Sequence, residues 1–270
     1  MKIGYQLYSA REEAARDLEG TLKALKEIGY DGIEFAGFYG HEAVEVKEIL
    51  DRVGLEAVSH HVPFADMRAD FDKVLQDNKT IGVSYIAVPY LQQEDRPGEP
   101  GFAAAVRDIA AFARKAKENG LQMLYHNHDF EFVKVSGLYG LDFLYDAIPA
   151  DALMTELDTC WVRYAGEEPA AYIRKYAGRC DIVHLKDYVG RKEEGKTPYA
   201  LIGLNEDEKK EGEVPFEFRP VGYGCQDVPA LVSAARESGA KWLVVEQDMS
   251  VGCGPLEAAR MSFDTVKPLI

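Results

Sequence analysis

Asp181-Ile182-Val183-His184-Leu185-Lys186-Asp187 has the pattern of a buried strand whose C-terminal end is polar. Side chains alternate between the two faces of a strand, so His184 and Lys186 share one face and the aliphatic residues beside them share the other. A polar group turned into a core is costly unless it has a partner. We therefore expect this strand to deliver a histidine and a lysine to an interior site.

Three further segments change from apolar to polar in the same way: Tyr125-His126-Asn127-His128, Thr155-Glu156-Leu157-Asp158 and Val244-Val245-Glu246-Gln247-Asp248. A barrel of parallel strands collects the C-terminal ends of its strands on one face. Together the four segments predict a metal site on that face.

Strand and helix patterns alternate along the chain. The predicted strands are rich in Val, Ile and Leu, and most helical patterns stop at a glycine, which is common just past a helix end. The strands are Ile3–Tyr8, Gly32–Ala36, Glu56–His60, Tyr85–Pro89, Leu121–His128, Ala152–Asp158, Asp181–Asp187 and Trp242–Asp248. The helices are Leu18–Ile28, His41–Val53, Asp70–Ile81, Phe102–Asn119, Leu138–Ile148, Pro169–Ala177, Val228–Ser238 and Leu256–Val266.

This alternation predicts an α/β fold, a single (β/α)8 TIM barrel that forms one domain over residues 1–270. A doubly wound open sheet is the alternative. Its dinucleotide-binding form needs a glycine-rich turn after the first strand, and Tyr8-Ser9-Ala10-Arg11 is not one. Residues 188–227 are far longer than a usual βα loop, so they are a candidate lid over the catalytic face.

Composition limits the class of partner. The formal net charge of -15 argues against a nucleic-acid partner, because such proteins gain affinity from clustered Lys and Arg. The four cysteines have neither metal-site spacing nor the density of a disulfide scaffold, which favours reduced thiols. No apolar run resembles a signal peptide or is long enough to span a bilayer, so we expect a cytoplasmic protein with no membrane partner. A homo-oligomer is compatible with the sequence.

Five of the six histidines fall at the C-terminal ends of predicted strands, namely His60, His61, His126, His128 and His184, and only His41 lies elsewhere. Any one of them alone could be a satisfied core histidine. Their clustering at the face where barrel enzymes place their chemistry favours a functional role.

The predicted metal ligands come from neighbouring strands. Asp158, His184 and Glu246 offer one nitrogen and two carboxylate oxygens, which suits Mn²⁺, Co²⁺ or Zn²⁺. A salt-bridge cluster is the structural alternative. The fourth ligand is Glu156, which lies deeper on the same face as Asp158, or it comes from the strand that carries His126. We favour Glu156, because a carboxylate buried that deeply would otherwise be an unpaired charge.

Three further charged residues have open roles. Lys186 could stabilise an enolate or alkoxide, or it could neutralise Asp187 or Glu246. Glu34 and Glu131 could bind sugar hydroxyls, although solvent exposure is the more common state of such residues.

The residues Asp158-Thr159, His184-Leu185-Lys186-Asp187, Glu246 and His60-His61-Val62-Pro63 together resemble the xylose isomerase-like TIM-barrel superfamily. The resemblance runs the length of the chain. It implies sugar isomerase, epimerase or inosose dehydratase chemistry, or a zinc nuclease of the endonuclease IV type.

In the epimerases of this superfamily a divalent metal is held by Glu, Asp, His and Glu from successive strands, and Asp158, His184 and Glu246 match three of these positions. The first position departs, because Tyr125-His126-Asn127-His128 is closer to the Tyr-His-x-His strand of inosose dehydratases. Trp161 stands where the epimerases have a histidine and would form an aromatic wall for a sugar.

We therefore expect a divalent-metal-dependent isomerase or epimerase that moves a proton next to the carbonyl of a sugar, keto-sugar or inositol-derived substrate. The candidate bases are Glu246, Glu156 and His126, and the candidate substrate-binding residues are His61, His128, Lys186 and Trp161. The alternatives are an inosose dehydratase or keto-glycoside lyase and, less favoured by the charge and histidine count, a zinc endonuclease. A non-catalytic sugar-binding barrel is the alternative from a different class.

Overall fold

The computed structural model describes residues 1–193, 196–203 and 215–270 of the chain. Eight parallel strands form a closed barrel within this part. They are β1 (Lys2–Gln6), β2 (Gly32–Phe35), β3 (Glu56–His61), β4 (Tyr85–Val88), β5 (Gln122–His126), β6 (Leu153–Asp158), β7 (Ile182–Leu185) and β8 (Trp242–Val245).

The strands lie in the barrel in chain order. Each pairs in parallel with the next, and β8 pairs with β1 from Trp242 opposite Lys2 to Val245 opposite Tyr5. The predicted (β/α)8 barrel is therefore confirmed.

Helices surround the barrel, and most follow the predicted strands as expected. They are α1 (Arg11–Arg16), α2 (Leu18–Ile28), α3 (Ala43–Val53), α4 (Phe64–Ile81), α5 (Phe102–Glu118), α6 (Gly140–Ala147), α7 (Thr159–Tyr164), α8 (Pro169–Lys175), α9 (Val228–Glu237) and α10 (Pro255–Val266). The short α1 and α7 were not predicted, because six residues are too few to establish a helical period. None of these helices has the length and apolar character needed to cross a membrane, and this holds for the described residues only.

The helix predicted from Asp70 begins earlier, at Phe64. Its backbone leaves the helical region at Asp70, with φ of -157° and ψ of 82°, and the Asp70 carboxylate then accepts the Lys73 N–H at 3.0 Å. The sequence pattern predicted only the part of α4 after Asp70, because Asp70 acts as the N-cap of that part.

The barrel interior is apolar at one end and polar at the other. Val58, Tyr85, Leu124, Ile182 and Val244 belong to a buried cluster that fills the end where the strands begin. Val183 and Leu185 pack with the helices outside the barrel, whereas Ile182 joins the interior cluster. The predicted alternation of β7 is confirmed, and it turns His184 inward above the apolar plug.

One irregularity interrupts the barrel. The register between β2 and β3 shifts after Ile33, so that Ala57 lies opposite Ile33 and Ser59 lies opposite Glu34. Val58 is the extra residue, as in a β-bulge. Because of this shift, the side chains of Val58 and Ser59 both point into the barrel. Alternation resumes after them, so His60 points away from the interior and His61 points into it.

The candidate lid is partly regular structure. Residues Asp187–Gly190 pair antiparallel with Phe216–Arg219, and Tyr199–Ile202 form a 3-10 helix. Residues 194–195 and 204–214 of the candidate lid lie outside the described residues.

Candidate metal centre

The C-terminal ends of six barrel strands bring ionisable side chains together at the polar end of the interior. Every one of these side chains is at most 8% exposed, so they interact with one another rather than with bulk water. They are Glu34 of β2, His61 of β3, His126 of β5, Glu156 and Asp158 of β6, His184 of β7, and Glu246 just after β8.

The deeper part of this cluster is built around Glu34. Its Oε1 lies 3.0 Å from His61 Nε2 and 2.7 Å from His184 Nε2, and it accepts a hydrogen bond from Gln6 Nε2 at 2.7 Å. The Ser59 hydroxyl donates to the other carboxylate oxygen. Solvent exposure, the alternative considered for Glu34, is wrong, since the residue is fully buried. An acidic residue inside the apolar run of β2 was the signal that could have placed it here.

Glu156 also belongs to the deeper part. Its Oε2 lies 2.6 Å from His61 Nε2, 3.4 Å from His126 Nδ1 and 3.7 Å from His184 Nε2. We expected the Glu156 carboxylate to be unpaired without a metal. This is true of Oε1, which has no hydrogen-bond partner among the described residues, but Oε2 is paired with His61.

The upper part of the cluster opens toward solvent. His184 Nδ1 lies 3.0 Å from Glu246 Oε2, and His126 Nε2 lies 3.8 Å from Asp158 Oδ2. Lys186 Nζ lies 3.2 Å from Glu246 Oε2 and also contacts Asp248. His126 and His184 thus bridge the two parts.

Two sets of four side chains bring their ligand atoms within 4.8 Å of one another: His61, His126, Glu156 and His184, and His126, Asp158, His184 and Glu246. The four predicted ligands are divided between the sets, with Glu156 in the first and Asp158 and Glu246 in the second. The second set takes one ligand from each of the four strands from β5 to β8, with His126 where Glu156 was favoured.

The charge balance of the cluster suits a cation. Burial raises the pKa of Glu156 and of Asp158 to about 7, with Glu34 adding to the shift of the first and Glu246 to that of the second. For Glu246, burial acts upward, but Lys186 and His184 hold the pKa well below its usual range. The protein's own positive charges therefore do not keep every carboxylate ionised.

Buried polar atoms without a hydrogen-bond partner also indicate a metal site. Within the described part of the chain, His126 Nδ1, Glu156 Oε1 and Asp158 Oδ2 are buried without a hydrogen-bond partner. Buried polar atoms are nearly always paired. Imidazole nitrogens with carboxylate oxygens are the donor set that Zn²⁺, Mn²⁺ and Co²⁺ accept, so these residues fit a divalent metal.

Lys186 neutralises acidic groups of the site and not Asp187. Burial acts to lower its pKa, but Asp248, Glu246 and Asp158 raise it well above its usual range, so the side chain stays an ammonium. The Asp187 carboxylate instead accepts backbone N–H groups from residue 188 and from the loop at 222–226, at 2.9–3.1 Å. The glycines of that loop therefore wrap a side chain of the protein itself. A Cβ on Gly224 would lie 2.2 Å from Asp187 Oδ1.

Two of the predicted site residues, His60 and Trp161, lie outside the cluster. His60 turns away from the cluster, with Nδ1 3.0 Å from Asn78 Oδ1 and Nε2 accepting the Gly37 N–H at 3.3 Å. Burial lowers its pKa to about 4, as expected for a neutral structural imidazole. Trp161 is fully buried and stacks on Phe216 with ring centroids 5.9 Å apart.

A cavity of about 650 Å³ lies over the cluster. His61, His126, His128, Glu246 and Asp248 line it, whereas Glu156, Asp158, His184, Lys186 and Trp161 do not. Its other walls come from the residues after β2 and β3, from α4, and from Ile202 and Gly203 of the candidate lid.

Known proteins share this architecture. The chain is 24% identical to the rhizopine catabolism protein MocC of Rhizobium meliloti, over 92% of this chain and 80% of that one. It is 22% identical to an inosose dehydratase of Geobacillus kaustophilus, over 93% and 86%. A sugar phosphate isomerase/epimerase from Parabacteroides distasonis superposes with a TM-score of 0.75 at 20% identity, covering 100% of this chain and 95% of that one. A structure of the IOLI protein with a bound zinc atom superposes with a TM-score of 0.73 at 18% identity, covering 100% and 99%.

These likenesses agree with a family model that covers nearly all of the chain. The model describes a xylose isomerase-like TIM barrel and matches residues 22–268. The match includes β2 to β8 and every ionisable side chain of the cluster. The chain belongs to the xylose isomerase-like TIM-barrel family.

Proposed function

We propose that this chain is a divalent-metal-dependent enzyme that moves a proton next to the carbonyl of a sugar, keto-sugar or inositol-derived substrate, as an isomerase or epimerase does. One observation carries the proposal. A buried cluster of imidazoles and carboxylates with unpartnered atoms lies beneath a cavity large enough for such a substrate and reaches it through His61, His126 and Glu246.

The residues that would hold the metal are His126, Asp158, His184 and Glu246. When bound, a divalent ion there would polarise the carbonyl and hydroxyl oxygens of the substrate and so favour loss of the neighbouring proton. Mn²⁺, Co²⁺ and Zn²⁺ all suit these ligands, and the zinc atom of the structurally similar IOLI protein supports zinc.

Proton transfer itself falls to groups that line the cavity. Glu246 offers a carboxylate to the cavity, and His126 and His128 offer imidazoles. Lys186 holds the Glu246 carboxylate at 3.2 Å and contributes positive charge next to the reacting centre. An acid and a base on opposite sides of a substrate carbon are what epimerisation needs.

Elimination is the second candidate, and the position of Glu156 favours it. This carboxylate does not line the cavity, so the members of the cluster that reach the cavity are Glu246 and the imidazoles of His61 and His126. One of them can take the proton from carbon and return it to a departing hydroxyl, which gives water and an unsaturated ketone. The relatives named inosose dehydratase support this reaction, and a keto-glycoside lyase would use the same groups.

Turnover in D₂O separates the two candidates. Purified protein reconstituted with Mn²⁺, Co²⁺ or Zn²⁺ is given a panel of ketoses, inososes and keto-glycosides, and products are followed by NMR. Deuterium at the carbon next to the carbonyl of an intact sugar indicates epimerisation or isomerisation, and loss of a hydroxyl or aglycone with a new alkene indicates elimination. Absence of both with every metal, in protein that binds the metals, would contradict the proposal.

We further propose that the described part of residues 188–227 covers the bound substrate. Ile202 and Gly203 line the cavity, and the Tyr8 hydroxyl lies 3.4 Å from the Ile202 carbonyl oxygen. Asp129 accepts hydrogen bonds from the Tyr199 hydroxyl at 2.7 Å and from Lys192 at 2.8 Å. These contacts place the described part of the segment over the mouth of the cavity, where an element that opens and closes would lie.

The other predicted substrate-binding residues differ in whether they line the cavity. His61 and His128 reach the cavity directly, whereas Lys186 and Trp161 would act through their neighbours. Lys186 Nζ lies 5.4 Å from the Trp161 ring centroid, so Trp161 supports the lysine from behind.

A further inference from the structure

The residues that line the cavity come from two regions of the fold, which we call its two parts. One part lies over the metal centre, at His61, His126 and Glu246. The second part extends along α4, where Val74 and Lys73 line it, and under Phe38 of the loop after β2. The volume of about 650 Å³ leaves room for a second ring beside a single sugar ring at the metal centre.

Phe38 gives the second part an aromatic wall. Its ring is partly exposed and packs against the His60 ring, with centroids 4.5 Å apart at an interplanar angle of 35°. His60 is in turn fixed by Asn78 and by the Gly37 N–H. The aromatic ring is therefore held in place and presents apolar surface to the cavity, which is how proteins bind the face of a sugar or of an aromatic group.

The charge of the described cavity wall favours a neutral group over an anionic one. Among the described residues that line it, five carry carboxylates, Asp66, Asp70, Asp77, Glu246 and Asp248, and Lys73 is the one lysine, with no arginine. Lys73 Nζ already pairs with Asp77 at 2.6 Å. Phosphate sites in proteins use free Lys and Arg side chains, and this wall offers none.

We propose that the α4 side of the cavity is a subsite for a neutral ring joined to the reacting sugar, so that the substrate is an unphosphorylated glycoside. This rests on the proposed function for the reacting ring only. The ring in the subsite stacks on Phe38 and is either a second sugar or an aromatic group.

Binding and turnover test the subsite separately. The metal-reconstituted enzyme is titrated by calorimetry with a methyl glycoside, a phenyl glycoside, a disaccharide and a 6-phosphate of the same sugar, and kcat/KM is measured for the corresponding keto-sugars. We expect the two-ring compounds to bind about tenfold more tightly than the methyl glycoside, as one added ring contact allows, and the phosphate to bind more weakly than either. The preference between phenyl glycoside and disaccharide identifies the second ring.

Substitutions locate the effect. Phe38→Ala should remove the tenfold preference and leave kcat/KM for the single-ring keto-sugar within about twofold, because the loss is confined to one contact surface. Phe38→Leu keeps apolar packing on His60 and should lose part of the preference without loss of thermal stability. Val44→Ala, at a residue that is 58% exposed and outside the cavity, is the matched control.

Three results would overturn the subsite: equal binding of one-ring and two-ring compounds, tighter binding of the 6-phosphate, or an equal loss for all ligands in both Phe38 variants. Phe38-dependent binding of two-ring compounds without turnover would keep the subsite and contradict the proposed reaction.

Discussion

At the scale of single residues, His126 and Glu156 lie opposite each other on paired strands and yet have different surroundings. Glu156 Oε2 is held by His61 at 2.6 Å, deep in the cluster. His126 lines the cavity and reaches toward Asp158, and its Nδ1 has no hydrogen-bond partner. We therefore propose that His126 binds the metal and that Glu156 orients His61.

Two conservative substitutions test this assignment. His126→Asn should lose most bound metal after dialysis against a fixed free-metal concentration, because a ligand is removed. Glu156→Gln should keep the metal with an affinity about 10- to 100-fold lower, as for a group that supports a ligand. Metal content by mass spectrometry is the measurement, with the more exposed His41→Ala as control. Loss of metal in Glu156→Gln but not in His126→Asn would reverse the assignment.

Glu131 predicts a pH-dependent contribution to stability. It is 1% exposed and accepts hydrogen bonds from the Tyr125 hydroxyl and the His128 N–H, both at 2.8 Å, so the solvent exposure considered for it is wrong. Burial raises its pKa to about 7 from 4.5. Because the folded pKa lies above the unfolded one, this contribution is present below pH 4.5 and is lost as the pH rises through 7.

The change should be about 3 kcal/mol across this window, since one pKa unit corresponds to about 1.4 kcal/mol. Glu131→Gln removes the titration, so the difference in unfolding free energy between variant and wild type should change by that amount between pH 4.5 and 7. Denaturant unfolding at a series of pH values measures it. The exposed Glu118→Gln is the control, and parallel profiles for Glu131→Gln and wild type would contradict the prediction.

At the scale of elements, the segment after β7 differs most from a simple βα connection. Its strands Asp187–Gly190 and Phe216–Arg219 enclose an aromatic cluster that includes Trp161, Tyr188 and Phe216. The helix Tyr199–Ile202 belongs to the same cluster and reaches the cavity through Ile202. The base of the segment is thus well packed, and the part at the mouth contacts Asp129 and Tyr8.

Hydrogen exchange should detect closure of this segment. Backbone amides of residues 196–203 should exchange more slowly with a saturating substrate analogue, whereas those of residues 216–219 should change little, because ladder bonds already protect them. Asp129→Asn weakens the tether and should raise exchange at 196–203 in the free enzyme. Exchange at 196–203 that does not respond to the analogue would exclude a lid.

The sequence predicted those elements whose period is regular. The helix Leu18–Ile28 is found with the predicted bounds, ending at Gly29 with φ of 123°. Glu34 follows the alternation of β2, and its acidic character within an apolar run was the signal for its inward position. The placement of His60 failed for a different reason. Alternation along a strand predicts side-chain direction only while the register is unbroken, and the bulge between β2 and β3 breaks it.

At the scale of the whole molecule, the metal centre links the two halves of the barrel. Its proposed ligands come from β5 to β8, while Glu34 and His61 of β2 and β3 contact His184 and Glu156 from the other half. Burial raises the pKa of Glu156 and of Asp158 to about 7, so ionising these two carboxyl groups is costly without a cation. Metal binding should therefore stabilise the entire fold.

The melting temperature should rise when metal is supplied. A ligand at 100 times its dissociation constant adds about 2.7 kcal/mol to the unfolding free energy. For a chain of this size that corresponds to a rise of roughly 5 to 10 °C. Scanning calorimetry of chelator-treated protein, with and without added Zn²⁺ or Mn²⁺, measures the rise. His184→Ala should show none, and an equal rise in that variant would place the stabilising ion elsewhere.

The extra residue at Val58 also bears on how this protein can change over time. His61 faces the metal centre and His60 faces the Phe38 side because one residue resets the strand just before them. Loss of that residue would exchange the directions of the two histidines in a single step, whereas most point substitutions alter one side chain at a time. In a deletion scan of β3, removal of any one of residues 57–59 should therefore abolish activity, even when the variant is expressed at a high level. Insertions at these positions should be rare among functional descendants of this sequence.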